Sequence, residues 1–321
     1  MSSENNNSPL APRNNAHVLM CCDSAYFQHL AVCLISLLEA NPSIDFETVV
    51  LVTRYTDEQA ERLTRSVTGY PNLKLRLIQF DGSSLTGLPL KNAYPPEIYA
   101  RFWVEDYFAS DVEKVLYLDA DMVVVGSVQE LLDLPLTENV LAAVTVPGSV
   151  RAGILGYDTA DGYFNSGVML INLKRWRDIG ARDMLIATAH QLVEKLNDPD
   201  QDVLNYCFHA QRISLDYVWN AITPFFREIN SLPLSKDDIA RITREARIVH
   251  FNGSSKPWQY LCQHPFKPEY ERCLAKTEWR DFRPDDYNFA NVVKKSISRM
   301  LGERRSAAVS RLLRNLSLKK H

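Results

Sequence analysis

The chain runs to 321 residues, 46% hydrophobic and 23% charged, a composition that excludes disordered, collagen-like and mini-protein classes and supplies apolar material for one large core or two modest ones. Its longest near-continuous apolar stretch, Leu30 to Leu38, is much shorter than the roughly 20 residues of a bilayer-spanning helix, so no segment reads as crossing a membrane. The formal charge of −3 divides into +8 for Asn291 to His321 and −11 for everything before it, and so acidic a body excludes a general nucleic-acid binder.

The chain opens on Met1 to His17, rich in Asn and Ser and without an apolar segment. That is neither a secretory signal nor a transit peptide; residues 1–15 read as a disordered tail and the protein as cytoplasmic. Ala16 to Cys22 is a short apolar strand ending at Asp23, and Leu30 to Glu39 is a helix closed by Asn41-Pro42. Phe46 to Thr53 is a second strand, Thr56 to Val67 a helix opened by Thr56, and Leu73 to Phe80 a third strand. Tyr94 to Phe108 reads as a helix starting near Pro95-Pro96, and Lys114 to Leu118 as a fourth strand ending in acids. Strands alternating with helices imply parallel strands with crossovers, hence an α/β sheet. Ligands gather at the carboxyl ends of such strands, where Asp23, Asp119 and Asp121 lie. The six cysteines form no CxxC pair and read as reduced thiols, with Cys21 and Cys22 packing in the first strand.

The most informative segment is Val115 to Val125, where Asp119-Ala120-Asp121 interrupts an otherwise apolar run. On an extended chain residues i and i+2 point the same way, and two carboxylates converging near a core call for a cation. The bland reading is a strand end whose acids are solvated or cap the next element. A second reading is a haloacid-dehalogenase-type phosphatase, in which Asp119 would be phosphorylated beside Mg2+. That motif usually stands on the first strand, whereas roughly a hundred ordered residues precede it here. The second constellation, His250-Phe-Asn-Gly253-Ser-Ser-Lys256-Pro-Trp258 after the short strand Ala246 to Val249, weighs against the phosphatase. An imidazole at a strand end can complete a carboxylate metal site, Gly253 lets backbone approach a phosphate, and Lys256 supplies charge to it.

From about Ala16 to about Pro284 these motifs and their order resemble the retaining glycosyltransferases of family 8, which include glycogenin and bacterial lipopolysaccharide galactosyl- and glucosyltransferases. The resemblance implies the GT-A fold, a Rossmann-like mixed sheet, over residues 16–288. It implies Mn2+, with Mg2+ as the substitute, held by Asp119, Asp121 and His250. Gly253 and Lys256 would close over the diphosphate of a UDP-sugar, UDP-glucose or UDP-galactose. Cys22-Asp23-Ser-Ala-Tyr26 resembles the uridine loop, with Asp23 holding the base and Tyr26 stacking on it; Ser24-Ala25 departs from the family's pattern and puts one base or ribose contact in question. Ala120 would lie along the donor between the two acids. Arg101, in Ile98-Tyr-Ala-Arg101-Phe, resembles the arginine reaching the hexose and diphosphate, and Asn165 the residue bonding sugar hydroxyls. Asp200-Gln201-Asp202 resembles the catalytic segment, with Asp200 on the sugar and Gln201 beneath the anomeric carbon, although these acids also suit an N-cap of the helix after Pro199.

Double displacement needs a carboxylate nucleophile, and the matched position is Gln201. The expected mechanism is therefore front-face substitution, with Asp202 as the reserve nucleophile. The implied activity is transfer of glucose or galactose from a UDP-sugar to a glycan or lipid-linked acceptor of lipopolysaccharide type. A noncatalytic adaptor that binds UDP-sugar and membrane is the further alternative. Residues 289–321 alternate apolar Val293, Ile297, Leu301 and Leu312 with Lys294, Arg299, Arg304 and Arg311, which suits a basic amphipathic helix lying on an anionic membrane. The protein is accordingly expected at the cytoplasmic face of the inner membrane.

Overall fold

The computed structural model describes residues 14–91, 94–227 and 232–296. Ten strands are present among them: β1 (Asn14–Cys21), β2 (Ile44–Val52), β3 (Leu73–Gln79), β4 (Lys114–Leu118), β5 (Met122–Val124), β6 (Leu141–Thr145), β7 (Phe164–Asn172), β8 (Arg212–Leu215), β9 (Ala221–Ile222) and β10 (Ile248–His250). Seven form one sheet in the order β3-β2-β1-β4-β7-β6-β8, and a smaller sheet is ordered β5-β10-β9.

The first half follows the sequence pattern. The strands β3, β2, β1 and β4 are mutually parallel. The helix Phe27–Ala40 after β1 is buried continuously from Phe27 to Leu38, which explains a run apolar on every face. The helix Asp57–Val67 instead carries one buried stripe and begins with a reciprocal cap, in which Thr56 Oγ1 accepts from the Gln59 amide and Gln59 Oε1 from the Thr56 amide. Apolar clusters cover both faces of the large sheet. Each fully buried aliphatic side chain there contributes about 1.5–3 kcal/mol of transfer free energy.

Three expectations are corrected. Strand β1 begins at Asn14, two residues early, with Asn14 Nδ2 donating to Gln129 Oε1 at 3.0 Å; the rest of the expected N-terminal tail lies outside the described residues. The segment expected as one α-helix over 94–108 is a 3-10 helix, Pro96–Tyr107, broken at Trp103. Tyr99, Ala100, Arg101 and Phe102 are buried in succession, so this stretch has no exposed face of the kind a surface α-helix shows, and exposure returns at Asp106. The mixed sheet that the resemblance implies is present: β7 runs antiparallel to β4 and to β6, which brings the start of β7 beside the end of β4. Finally, the apolar run from Val115 to Val125 is two strands rather than one. The chain bends at Ala120 and Asp121, and β5 leaves the large sheet to pair antiparallel with β10.

Helical turns reach residue 296, and the remainder of the expected basic tail, 297–321, lies outside the described residues. Among the described residues no helix is long and apolar enough to cross a membrane.

Candidate active site

Where the chain passes from the large sheet to the small one, Asp119 and Asp121 turn toward His250 at the end of β10. One ligand atom from each of the three lies within 4.8 Å of the others. His250 Nε2 is 3.2 Å from Asp121 Oδ1 and 3.7 Å from Asp119 Oδ2. The expectation of converging carboxylates therefore holds, although a bend rather than an extended strand produces it. Each acid has its second oxygen committed elsewhere. Asp119 Oδ1 accepts from Arg101 Nη2 at 3.1 Å and from the Tyr117 hydroxyl at 2.7 Å, while Asp121 Oδ2 is 2.5 Å from Lys256 Nζ. Burial alone would raise the Asp121 carboxyl, but Lys256 and His250 outweigh it and hold it well below the ordinary range.

Two features show that this donor set fits a divalent cation. His250 Nδ1 is 3.1 Å from the side-chain oxygens of both Asn165 and Asn220, which orients the opposite nitrogen toward the acids. The second feature is Gly167. A Cβ there would come within 2.4 Å of His250 Cε1 and 2.8 Å of Asp119 Oδ2, so only glycine lets these two ligands close around the strand. Gly167 also accepts the Asp119 amide on its carbonyl at 2.9 Å.

Around this centre opens a cleft of about 980 Å³, large enough for a nucleotide-sized ligand. Cys22, Asp23, Tyr26, Arg101, Asp119, Ala120, Asp121, Asn165, Asp200, Gln201, His250, Gly253 and Lys256 all line it. On the expected base side, Asp23 Oδ1 caps the 3-10 turn Ser24–Tyr26, and the Tyr26 ring meets Trp258 edge-on at 5.9 Å. Trp258 in turn stacks on His29 at 3.5 Å, anchoring the loop that carries Lys256. Gly253 has φ +84° with open space about it, so its left-handed backbone, rather than crowding, calls for glycine.

Arg101 joins the metal centre to the expected sugar end. Its buried guanidinium donates to Ser166 and pairs with Asp119 at 3.1 Å and Asp200 at 3.0 Å, lying 4.3 Å over the Tyr117 ring. Burial pushes the Asp200 carboxyl up to about 6 against the pull of Arg101, with Asp119 adding to the rise. Gln201 is fixed at both ends: Oε1 accepts from the Ser166 amide at 3.0 Å and Asn165 Nδ2 at 2.9 Å, and Nε2 donates to the Tyr163 hydroxyl at 2.9 Å.

Asp202 is the exception. It is wholly buried and outside the cleft lining. Arg151 donates to both of its oxygens, the Tyr163 hydroxyl to Oδ1, and the backbone amides of Asn197 and Asp198 to Oδ2. A carboxylate so enclosed organises the start of the helix Pro199–Phe208 and is not free to attack, which corrects its place as reserve nucleophile. Sequence reasoning also missed Tyr163 and Arg151, whose partners are distant in the chain, and Gly167, whose neighbour Asn165 drew the attention. Asn220 had a visible signal, a lone amide between Trp219 and Ala221.

A mixed sheet with this metal-type centre at its strand ends defines a glycosyltransferase of the GT-A fold. The chain belongs to glycosyl transferase family 8, whose profile matches residues 17–262. It is 29% identical over 241 residues to lipopolysaccharide glucosyltransferase WaaO of Escherichia coli K12, covering 72% of this chain and 70% of that one. It is 27% identical over 266 residues to the lipopolysaccharide 1,3-galactosyltransferase of Salmonella typhimurium, covering 80% and 77%. Among solved structures, the galactosyltransferase LgtC with donor and acceptor sugar analogues superposes with a TM-score of 0.72 at 24% identity, over 83% of this chain and 99% of that one.

Proposed function

We propose that the protein is a retaining, metal-dependent hexosyltransferase that moves glucose or galactose from a UDP-sugar to a glycan or lipid-linked acceptor of lipopolysaccharide type. The observation that carries this reading is the convergence of Asp119, Asp121 and His250 in one cleft with Arg101, Asp200 and Gln201. Mixed carboxylate and imidazole donors suit Mn2+, with Mg2+ as a poorer substitute. When bound, such an ion supplies a Lewis acid for the departing diphosphate. Lys256 is placed to exchange Asp121 for a phosphate oxygen, and Asp23 and Tyr26 to receive the uracil.

The arrangement of the carboxylates favours front-face substitution. Gln201 offers a neutral amide already bonded at both ends, Asp202 is enclosed, and Asp200 is paired with Arg101. The role that suits Gln201 is to hold its amide dipole against positive charge developing on the sugar. The haloacid-dehalogenase alternative loses ground because Asp119 has one oxygen held by Arg101 and Tyr117 and the other turned to His250, an environment built for a ligand rather than a nucleophile. The same relatives that support the transferase reading weigh against a noncatalytic adaptor.

A lipid-linked acceptor is supported by the chain's C-terminal end. Tyr287, Phe289 and Val293 expose 60%, 84% and 41% of their surface immediately before the basic residues of the tail, and aromatic groups beside lysines suit an anionic membrane interface. This reading places the enzyme at the cytoplasmic face of the inner membrane. Thermal protection tests the donor assignment: UDP should raise the melting temperature only with Mn2+ present, and the effect should vanish in Asp121→Ala. Protection by UDP that is indifferent to metal and to Asp121 would overturn it.

A further inference from the structure

Asn220 is a buried polar residue outside the cleft lining. It precedes β9 in the apolar run Val218-Trp219-Asn220-Ala221-Ile222 and is wholly shielded from solvent. An amide withdrawn from water costs free energy unless its donor and acceptor ends are both bonded. Here its side-chain bonds run to two site residues: Nδ2 donates to Asn165 Oδ1 at 2.8 Å, and Oδ1 faces His250 Nδ1 at 3.1 Å.

The directions of these bonds follow from one backbone group. The Gly167 amide donates to Asn165 Oδ1 at 3.1 Å, and an N–H can only donate, so that atom is the carbonyl oxygen. The end of Asn220 facing it must then be the NH2, which leaves the Asn220 oxygen turned to the imidazole. His250 Nδ1 thus meets two carbonyl oxygens, from Asn165 and Asn220, each at 3.1 Å, and can only donate to them. With one proton fixed on Nδ1, it is Nε2 that is bare when the ring is neutral, and its lone pair then points to the carboxylates.

We propose that Asn220 is a positioning residue of the metal centre: with Asn165 it holds the His250 proton on Nδ1, so that Nε2 faces Asp119 and Asp121 as a ligand. This rests on the metal-centre reading above. A residue that merely filled the core there would be replaced by leucine, of similar size, without effect on metal binding.

The test compares wild type with Asn220→Leu by titrating Mn2+ without nucleotide, following free Mn2+ by electron paramagnetic resonance. Loss of a hydrogen-bond partner to a ligating histidine weakens metal binding about tenfold or more, and that is the expected rise in Kd. A folded Asn220→Leu protein with wild-type Kd overturns the assignment while leaving the metal centre standing. Failure of wild type to bind Mn2+ overturns both. If Asn220→Leu does not fold, the wild-type protein decides: 15N-labelled histidine spectra of the metal-free protein at alkaline pH should show the His250 proton on Nδ1 alone. A proton on Nε2 under those conditions overturns the proposal.

Discussion

Replacing Gly167 with alanine perturbs the centre by one methyl group at a computable place. The added Cβ would lie 2.4 Å from His250 Cε1, and 2.8 Å from both His250 Nδ1 and Asp119 Oδ2. Ordinary carbon contacts begin near 3.4 Å, so the imidazole must retreat by about 1 Å or β7 must move away from it. Overpacking of this kind costs about 1–3 kcal/mol of stability, which a domain with two large apolar clusters tolerates. The functional loss should be larger, because metal–ligand distances tolerate only about 0.2 Å of error. Nucleotide-free Mn2+ titration of a variant shown to be folded by circular dichroism should therefore give a Kd raised by about a hundredfold, equivalent to about 3 kcal/mol. Wild-type Mn2+ affinity in folded Gly167→Ala would refute the placement of His250 and Asp119 as partners across that glycine.

Lys256→Met should weaken UDP binding much more than uridine binding, yet leave Mn2+ binding without nucleotide at least as tight as in wild type, because the ammonium at 2.5 Å competes for Asp121; calorimetry with each ligand checks both, and equal losses for UDP and uridine would remove Lys256 from the diphosphate. In the metal-free protein, the Asp200 carboxyl lies at about 6 when folded against 3.8 unperturbed. A raised carboxyl gives stability that is fully present below pH 3.8 and is lost as pH climbs through 6, by at most about 3 kcal/mol. The stability of Asp200→Asn relative to wild type should therefore rise over that window in urea titrations, and a constant difference would contradict the burial of an ionisable Asp200. Gln201→Ala should lower kcat while leaving UDP affinity nearly unchanged, with unaltered kcat as the refuting result. Removal of residues 291–321 should release the protein from anionic vesicles while preserving donor hydrolysis, and vesicle binding that survives the removal, or that is indifferent to salt and lipid charge, would show that the tail is not the anchor.

Much of the centre was legible because its ligands occur in short segments whose chemistry survives without a structure. Two acids two residues apart in an apolar run, and a histidine followed by glycine and lysine, name their own ligand class. Arg101 and Gln201 became readable only through the family resemblance. What stayed hidden depends on pairings set by the whole fold. Nothing local in Val115 to Val125 marks the bend that sends β5 into a second sheet, since both pieces are equally apolar and buried. Nor does Phe164 to Asn172 reveal its antiparallel course between β4 and β6. Asp202 looked equivalent to Asp200 in sequence, and partners as distant as Arg151, 51 residues away, and Tyr163, 39 residues away, separate the enclosed acid from the one that lines the cleft.

The most direct measurement is turnover of a panel of UDP-sugars by the 321-residue chain, read as UDP release, with Mn2+, with chelator, and in Asp121→Ala. UDP release from UDP-glucose or UDP-galactose should appear with Mn2+ and disappear with chelator or the substitution. Turnover that persists in either, or release of inorganic phosphate from a phosphomonoester in place of UDP from a nucleotide sugar, would contradict a metal-dependent hexosyltransferase at this cleft.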